Sequence, residues 1–360
     1  MNFASDNTAP VAPEIMAALA GANEGFSLGY GNDDWTRRVE AKFADLFKRD
    51  VAVFLVPTGT AANALALAHV TPPWGAVLCH EDAHIATDEC GAPEFFGGGI
   101  KLVGLSGAGG RIAAGTLEAA LDNTAQWGPP HHVTPAAVSI SQATEAGTIY
   151  RPEAIRALAD IAHAHGAVLH MDGARFGNAL ARMNVSADDA TWKSGVDVLS
   201  FGATKGGAMG AEAVIFFDPK RAEGMSARRK RGGALASKHR FIAVQMQAFL
   251  DGDLWLKLAR HANGMADALS DGLIRAGFAP KWPVEANEVF AALPLALCDK
   301  LQAAGAVFYR WDTDTATQTV TVRLVTSFAT TADEVERFDG LLRHRTNLRS
   351  FPLAGHPMPR

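Results

Sequence analysis

The chain has 360 residues, more than the ~250–300 over which one hydrophobic core usually grows, so two domains are expected. Apolar residues make up 48% and charged residues 20%, a soluble globular balance that excludes a disordered chain. With 33 Lys+Arg against 38 Asp+Glu the net charge is −5, which disfavours nucleic acid or an anionic membrane as main partner.

In chain order, Val51–Val56 reads as a strand and the alanine- and leucine-rich stretch Thr60–Val70 as a helix. Short strands follow at Ala76–Cys79, Lys101–Leu105 and Ala136–Ile140, with the Pro/Gly-rich stretch Trp127–Pro135 read as a surface loop. Glu153–His165 carries Ala, Ile and Leu at i, i+3, i+4 spacing and is closed by Gly166, which predicts a helix. Ala167–Met171 and Val196–Phe201 are the next strands. Strands alternating with helices imply an α/β layer on a mostly parallel sheet. Near Asp251 the rhythm changes. A long amphipathic helix at Leu254–Ala276 leads into a smaller α+β unit with strand Thr319–Val325 and closing helix Ala332–Arg345. The expected domains are therefore residues 1–250 and 251–360.

No apolar run approaches the ~18–20 residues of a membrane span, and Met1–Pro10 lacks the features of a secretory leader. The three cysteines (Cys79, Cys90, Cys298) are widely spaced and form no CxxC. They argue against a disulfide framework or zinc ribbon and fit a reducing cytoplasm.

Several familiar signatures fail. His80-Glu81-Asp82-Ala83-His84 matches HExxH, which places two zinc-binding imidazoles one helical turn apart with a glutamate base. Here the motif follows a strand directly and Asp82-Ala83 reads as loop, so a zinc hydrolase is disfavoured. Gly107-Ala-Gly109 is followed by Ile112 where a dinucleotide fingerprint needs its third glycine. No GxxxxGK[ST] loop occurs.

Three other pieces fit one chemistry. Strand Val51–Val56 runs through Pro57-Thr58-Gly59-Thr60 into a helix, where free N–H groups, two hydroxyls and the helix dipole can cradle a phosphate; a plain helix cap is the alternative. Strand Ala167–Met171 delivers Asp172 at its carboxyl end, where α/β sheets gather ligands; the alternative is a loop-tying pair with Arg175. Strand Val196–Phe201 runs into Gly202-Ala203-Thr204-Lys205-Gly206-Gly207, whose lysine is placed for a Schiff base unless it is an ordinary surface lysine. Cradle, aspartate, then lysine 33 residues later is the order of a pyridoxal 5′-phosphate (PLP) site. In it Asp172 would keep the pyridine nitrogen protonated, and Lys205 would hold the aldehyde carbon.

The chain resembles the threonine aldolase family of fold-type I PLP enzymes, and most of all its bacterial branch of low-specificity L-threonine and phenylserine aldolases. The resemblance runs over essentially the whole chain. It rests on Ala4-Ser5-Asp6-Asn7, Tyr30-Gly31, Pro57–Asn63, His84 with Asp88–Phe96, Gln142–Glu145, His170–Phe176, Ser200–Lys205 and Arg323–Phe328. It implies a fold-type I large domain with a smaller C-terminal α+β domain, and retro-aldol cleavage of L-β-hydroxy-α-amino acids to glycine and an aldehyde.

By the same resemblance Lys205 carries the Schiff base, Asp172 meets the pyridine nitrogen, and His84 stacks on the ring. Thr58, Gly59, Thr60, Arg175 and Thr204 lie at the cofactor, with Gly59 and Thr60 on its phosphate. Ser5, Arg175 and Arg323 would hold the substrate carboxylate through Arg forks; the alternative for Arg323 is a surface arginine on an edge strand. In a homo-oligomer, a dimer or tetramer, Tyr30 would reach a neighbouring subunit's site and Lys230 the cofactor phosphate across the subunit interface, although Lys230 is equally read as part of a solvated basic face. Glu145 stands where many of the wider family carry histidine. The base that takes the β-hydroxyl proton is thus open among His84, Glu145 and an activated water. β-Elimination or transamination on the same scaffold is the alternative reaction.

Overall fold

The computed structural model describes residues 1–123 and 127–343. Strands β1 (Ala52–Val56), β2 (Gly75–His80), β3 (Lys101–Leu105), β4 (Thr134–Ser141), β5 (Val168–Gly173), β6 (Val198–Gly202) and β7 (Glu212–Phe216) form one sheet in the order β1-β7-β6-β5-β4-β2-β3. β7 is antiparallel to both neighbours; the other pairings are parallel, so the mostly parallel α/β sheet expected from the pattern is present. β2 and β5 are buried along their whole length, because helices cover both faces of such a sheet.

The apolar patterns explain the helices. In helix Pro152–Ala164 the buried residues Ile155, Leu158, Ala159 and Ala162 fall on one stripe, and Gly166 follows at φ +73, a conformation that an L side chain rarely adopts. Under the sheet Phe43, Phe47, Phe176, Phe201, Phe249 and Trp255 make an aromatic core. Phe43 meets Phe201 edge-on at 5.1 Å between centroids, a geometry that adds about 0.5–1.5 kcal/mol beyond burial.

A second, three-stranded antiparallel sheet is built from β8 (Glu288–Pro294), β10 (Thr319–Val325) and β9 (Tyr309–Asp314), with β10 central. Arg323 lies on that central strand, which corrects the edge-strand alternative. The 22-residue helix Leu254–Arg275 joins the two cores, burying Trp255 in the first and Ala266, Leu269 and Leu273 in the second. The start of the chain also meets the second sheet: Phe3 N–H donates to the Val307 carbonyl at 2.8 Å, and the Phe3 ring is buried in that core.

Two expectations shift. Thr134 and Pro135 belong to β4, not to a surface loop; Pro135 is tolerated because β5 pairs only from Ala137 onward and the register slips beside it. The closing helix is described as Ala332–Arg343, and the remainder of the expected Ala332–Arg345 lies outside the described residues. The pattern assigned no element to β7, β8 or β9. Among the described residues no helix is long and apolar enough to cross a membrane.

Candidate active site

The carboxyl ends of β1, β2, β4, β5 and β6 open onto a cavity of about 410 Å³, with the start of β7 closing one side. This is where open α/β sheets gather ligands. Its lining includes Thr58, Gly59, Thr60, His84, Glu145, Asp172, Arg175, Thr204 and Lys205. Nine of the residues expected at the site from sequence thus share one cavity, although they span 148 positions in the chain.

At one end, Thr58 caps helix Gly59–Val70: its Oγ1 accepts from Ala61 N–H at 3.1 Å and its carbonyl from Ala62 N–H at 3.1 Å. The Gly59 and Thr60 N–H groups, being first in the helix, have no intrahelical acceptor. They are donors at the positive end of the helix dipole, suited to a phosphate.

Asp172 is 6% exposed at the end of β5. Its Oδ2 accepts from Asn63 Nδ2 at 2.7 Å and its Oδ1 from Ala174 N–H at 2.9 Å. Asn63 also donates to Glu89 Oε1 at 2.9 Å, and the same oxygen lies 2.9 Å from His84 Nδ1. A hydrogen-bonded series His84–Glu89–Asn63–Asp172 therefore runs along the cavity wall. The bond to Glu89 holds the His84 imidazole above its usual range against the opposing effect of burial. Burial pushes the Glu89 carboxyl up as well, with the His84 bond opposing.

Glu145 reaches the cavity from the segment after β4. Its Oε1 accepts from Ser141 Oγ at 2.6 Å and from His84 N–H at 2.8 Å, and burial raises its carboxyl above the usual range. Lys205 sits in the packed turn after β6. A Cβ on Gly206 would come within 2.6 Å of the Phe249 ring, so the turn has no slack. Among the described residues Lys205 Nζ makes no hydrogen bond or ion pair, although the chain is half-buried there. A cation left without a partner in a closed site needs one.

Arg175 does not tie to Asp172, which corrects that alternative. It is 7% exposed, clasped by Asp6 through Nε to Oδ2 at 2.7 Å and Nη2 to Oδ1 at 3.1 Å, and its Nη1 lies 3.1 Å from Glu288 Oε2. Arg323 Nη2 pairs with the other Glu288 oxygen at 2.6 Å. The buried Glu288 thus gathers both arginines expected for a carboxylate. Against the opposing effect of burial, the charges of Arg175 and Lys205 and the hydrogen bonds from Arg175 and Asn287 hold the Asp6 carboxyl down at about 2.

Ser5, Tyr30, Arg323 and Lys230 are not among the cavity's lining residues. Ser5 Oγ accepts from Asn7 N–H at 3.1 Å, and Asn7 is the N-terminal residue that reaches the cavity. Tyr30 is 51% exposed, with Lys230 Nζ 4.6 Å above its ring. His80 uses both ring nitrogens on backbone, accepting from Asp82 N–H at 3.1 Å through Nδ1 and lying 3.0 Å from the Gly107 carbonyl through Nε2. Since His80 ends β2 and His84 starts a separate turn, the HExxH pattern does not present two imidazoles on one helix.

Asp6, Asn63 and Glu89 fall within the motifs that carry the resemblance but were given no role there, and Glu212 and Glu288 were not singled out. The available signal was polarity out of place, as with Asn63 inside the apolar helix 59–70 and Glu212 opening the buried run EAVIF. PLP fits what is present. The cavity has the size of a cofactor site and one end offers phosphate donors; among the described residues, the Lys205 amine has no partner and the buried oxygens Glu89 Oε2 and Glu145 Oε2 have no hydrogen-bond partner.

Comparison with known proteins agrees. The chain is 42% identical to a low specificity L-threonine aldolase of Pseudomonas aeruginosa, covering 87% of this chain and 93% of that protein. The solved threonine aldolase of Leishmania major superposes with a TM-score of 0.90 at 29% identity, covering 96% of this chain and 99% of that one. A serine palmitoyltransferase of Sphingomonas wittichii shares the fold at a TM-score of 0.71 and 15% identity, covering 96% and 87% of the two chains. With the beta-eliminating lyase model matching residues 2–295 and the aldolase likeness running over nearly the full length, this chain belongs to the beta-eliminating lyase family, within its group of low-specificity threonine aldolases.

Proposed function

We propose that the cavity binds PLP and cleaves L-β-hydroxy-α-amino acids, including L-threonine, L-allo-threonine and L-phenylserine, into glycine and an aldehyde. The observation that carries this reading is the series His84–Glu89–Asn63–Asp172 on the same cavity as Lys205, whose amine has no partner among the described residues. Thr58, Gly59, Thr60 and Thr204 would hold the cofactor, Gly59 and Thr60 at its phosphate; Asp172 would meet its pyridine nitrogen, and His84 would cover its ring. Bound there, PLP supplies a sink for the electron pair released when the Cα–Cβ bond breaks. Arg175 and Arg323 orient the substrate carboxylate from around Glu288. His84 or Glu145, directly or through water, takes the β-hydroxyl proton; the O–H pair then completes the aldehyde carbonyl, and Cα regains a proton to leave as glycine. Lys205 would hold the aldehyde carbon of the cofactor.

The enzyme is read as a cytoplasmic homo-oligomer, dimer or tetramer, in which the exposed Tyr30 and Lys230 meet a neighbouring subunit. The domains are taken as residues 1–250 and 251–360; the separate hydrophobic clusters at the two sheets support that division. The test is a panel of L-threonine, L-allo-threonine, L-phenylserine and L-3-hydroxyaspartate, with released aldehyde and glycine measured together. Equimolar aldehyde and glycine are expected from the first three. Keto acid and ammonia without aldehyde would replace this reading with β-elimination.

His84 separates the cofactor reading from the zinc one. His84→Ala is expected to cut cleavage by roughly 10²–10⁴-fold, the range for a lost acid–base group, while His80→Ala is mild. An imidazole must be neutral to accept a proton, so with His84 as the base kcat/KM should fall as pH drops through the His84 pKa, which Glu89 holds above the usual 6.5. Glu89→Gln removes that support, and the acidic limb of the profile should move to lower pH. A limb that stays in place would remove His84 as the base.

A further inference from the structure

Glu212 is a cavity carboxyl to which the proposed chemistry gives no task. It opens β7, and the antiparallel register sets it opposite Val56 on one side and Gly202 on the other. Its side chain therefore stands between the two segments that would enclose a phosphate, Pro57–Thr60 after β1 and Thr204–Lys205 after β6. It is 6% exposed and lines the cavity. Its Oε1 accepts from Thr204 N–H at 3.3 Å, and Thr204 Oγ1 accepts from Ala211 N–H at 3.2 Å, so the carboxyl is anchored within the cradle.

An acid is the wrong charge for that place. A carboxylate beside a phosphate ester in a half-dry pocket repels it strongly, whereas a protonated carboxyl carries no charge and has an O–H to donate. We propose that Glu212 couples cofactor loading to proton uptake: it is a carboxylate beside Lys205 in the empty cavity, and takes up one proton when a phosphate ester settles on Thr58–Thr60. The proton comes from solvent, and the protonated carboxyl then donates to the ester or to the Thr204 hydroxyl. No covalent bond forms or breaks. The inference rests on the reading that this cavity holds a phosphate-bearing cofactor.

The surroundings suit such a group. Burial pushes the Glu212 carboxyl up to about 7, with the Thr204 hydrogen bonds and the Lys205 ammonium opposing and the Asp172 carboxylate adding to it. Lys205 faces it from the loop after β6 and Asp172 from the end of β5. Behind β1, Arg229 of helix Met225–Arg231 donates to the Leu55 carbonyl at 3.1 Å. Helix Arg240–Leu250 contributes the neutral Gln245, whose Oε1 accepts from Met209 and Gly210 N–H at 2.8 and 3.0 Å. An arriving phosphate adds negative charge to this set, so it moves the carboxyl further up and completes its protonation.

The test uses the cofactor-free protein and pyridoxine 5′-phosphate, whose alcohol cannot form a Schiff base with Lys205. Its Kd is measured from pH 6 to 9 for the wild type and for Glu212→Gln, which copies the neutral carboxyl. The ratio of the two Kd values cancels titration of the ligand and of the groups common to both proteins. With a free-state value of about 7, wild-type binding should be weaker than that of Glu212→Gln by roughly 10-fold at pH 8 and roughly 100-fold at pH 9, with the two near equal at pH 6. Calorimetry at pH 8 in two buffers of different ionisation heat should show about one more proton taken up by the wild type. Glu212→Ala should reproduce the loss of pH dependence if the glutamine packs badly. A Kd ratio independent of pH, or weaker binding by both variants throughout, would overturn the proposal. If pyridoxine 5′-phosphate fails to compete with PLP for the wild type, the cofactor reading falls first and this inference with it.

Discussion

Lys205→Ala is expected to abolish turnover and to remove the visible-edge absorbance of a lysine-bound cofactor. The reason is local. The cavity wall contains one lysine, in a turn fixed by Gly206 against Phe249, and its amine makes no hydrogen bond or ion pair among the described residues. Alanine leaves Thr58, Gly59 and Thr60 in place, so phosphate-end binding should persist while the covalent link cannot form. Absorbance spectra and single-turnover assays with L-phenylserine decide the matter. Wild-type turnover together with an intact chromophore would mean that the cofactor is held elsewhere.

Asp172→Asn is expected to slow cleavage by several orders of magnitude with the cofactor still bound. Two effects act together. An amide cannot supply the negative charge that keeps a pyridine nitrogen protonated, so the electron sink is lost. The local bonding also suffers: both Asp172 oxygens accept, one from Asn63 Nδ2 and the other from Ala174 N–H, and an amide must turn its NH2 toward one of these donors. One buried donor left unmatched costs about 1–3 kcal/mol, which should appear as a modest loss in thermal stability. Rates measured beside the melting temperature separate the two effects. Cleavage of phenylserine at the wild-type rate would make Asp172 structural and misplace the cofactor.

The His84–Glu89 pair links these expectations to pH. Glu89→Gln should shift the acidic limb without disturbing the chromophore, whereas Glu212→Gln should alter loading at alkaline pH. The two carboxyls differ because Glu89 is bonded to a base and to Asn63, whereas Glu212 is anchored to the Thr204 backbone in the phosphate cradle.

Local pattern determined much of this protein. Mostly apolar runs of four to six residues placed β1 to β6 within a residue or two; β2 and β5, buried along their whole length, show why, since strands buried on both faces must be near-continuously apolar. Lys101–Leu105 and Thr319–Val325 coincide with observed strands, and the spacing of Ile155, Leu158 and Ala162 located its helix. Residue type at strand ends exposed Thr58, Asp172 and Lys205, because glycine-flanked polar residues after apolar runs have few structural uses. Tertiary structure decided the rest. β7 is a glutamate followed by four apolar residues, and its antiparallel insertion between β1 and β6 depends on partners more than 150 and about 15 residues away; no local signal carries that choice. β9 is exposed along its whole length, so hydrophobic pattern could not mark it. The same holds for the site: Asn63 was one polar residue in an apolar helix until folding set it between Glu89 and Asp172, and Glu288 was an unremarked acid until it met Arg175 and Arg323. Burial and pairing are properties of the folded whole, and a side chain's charge and task are set only once its neighbours are in place.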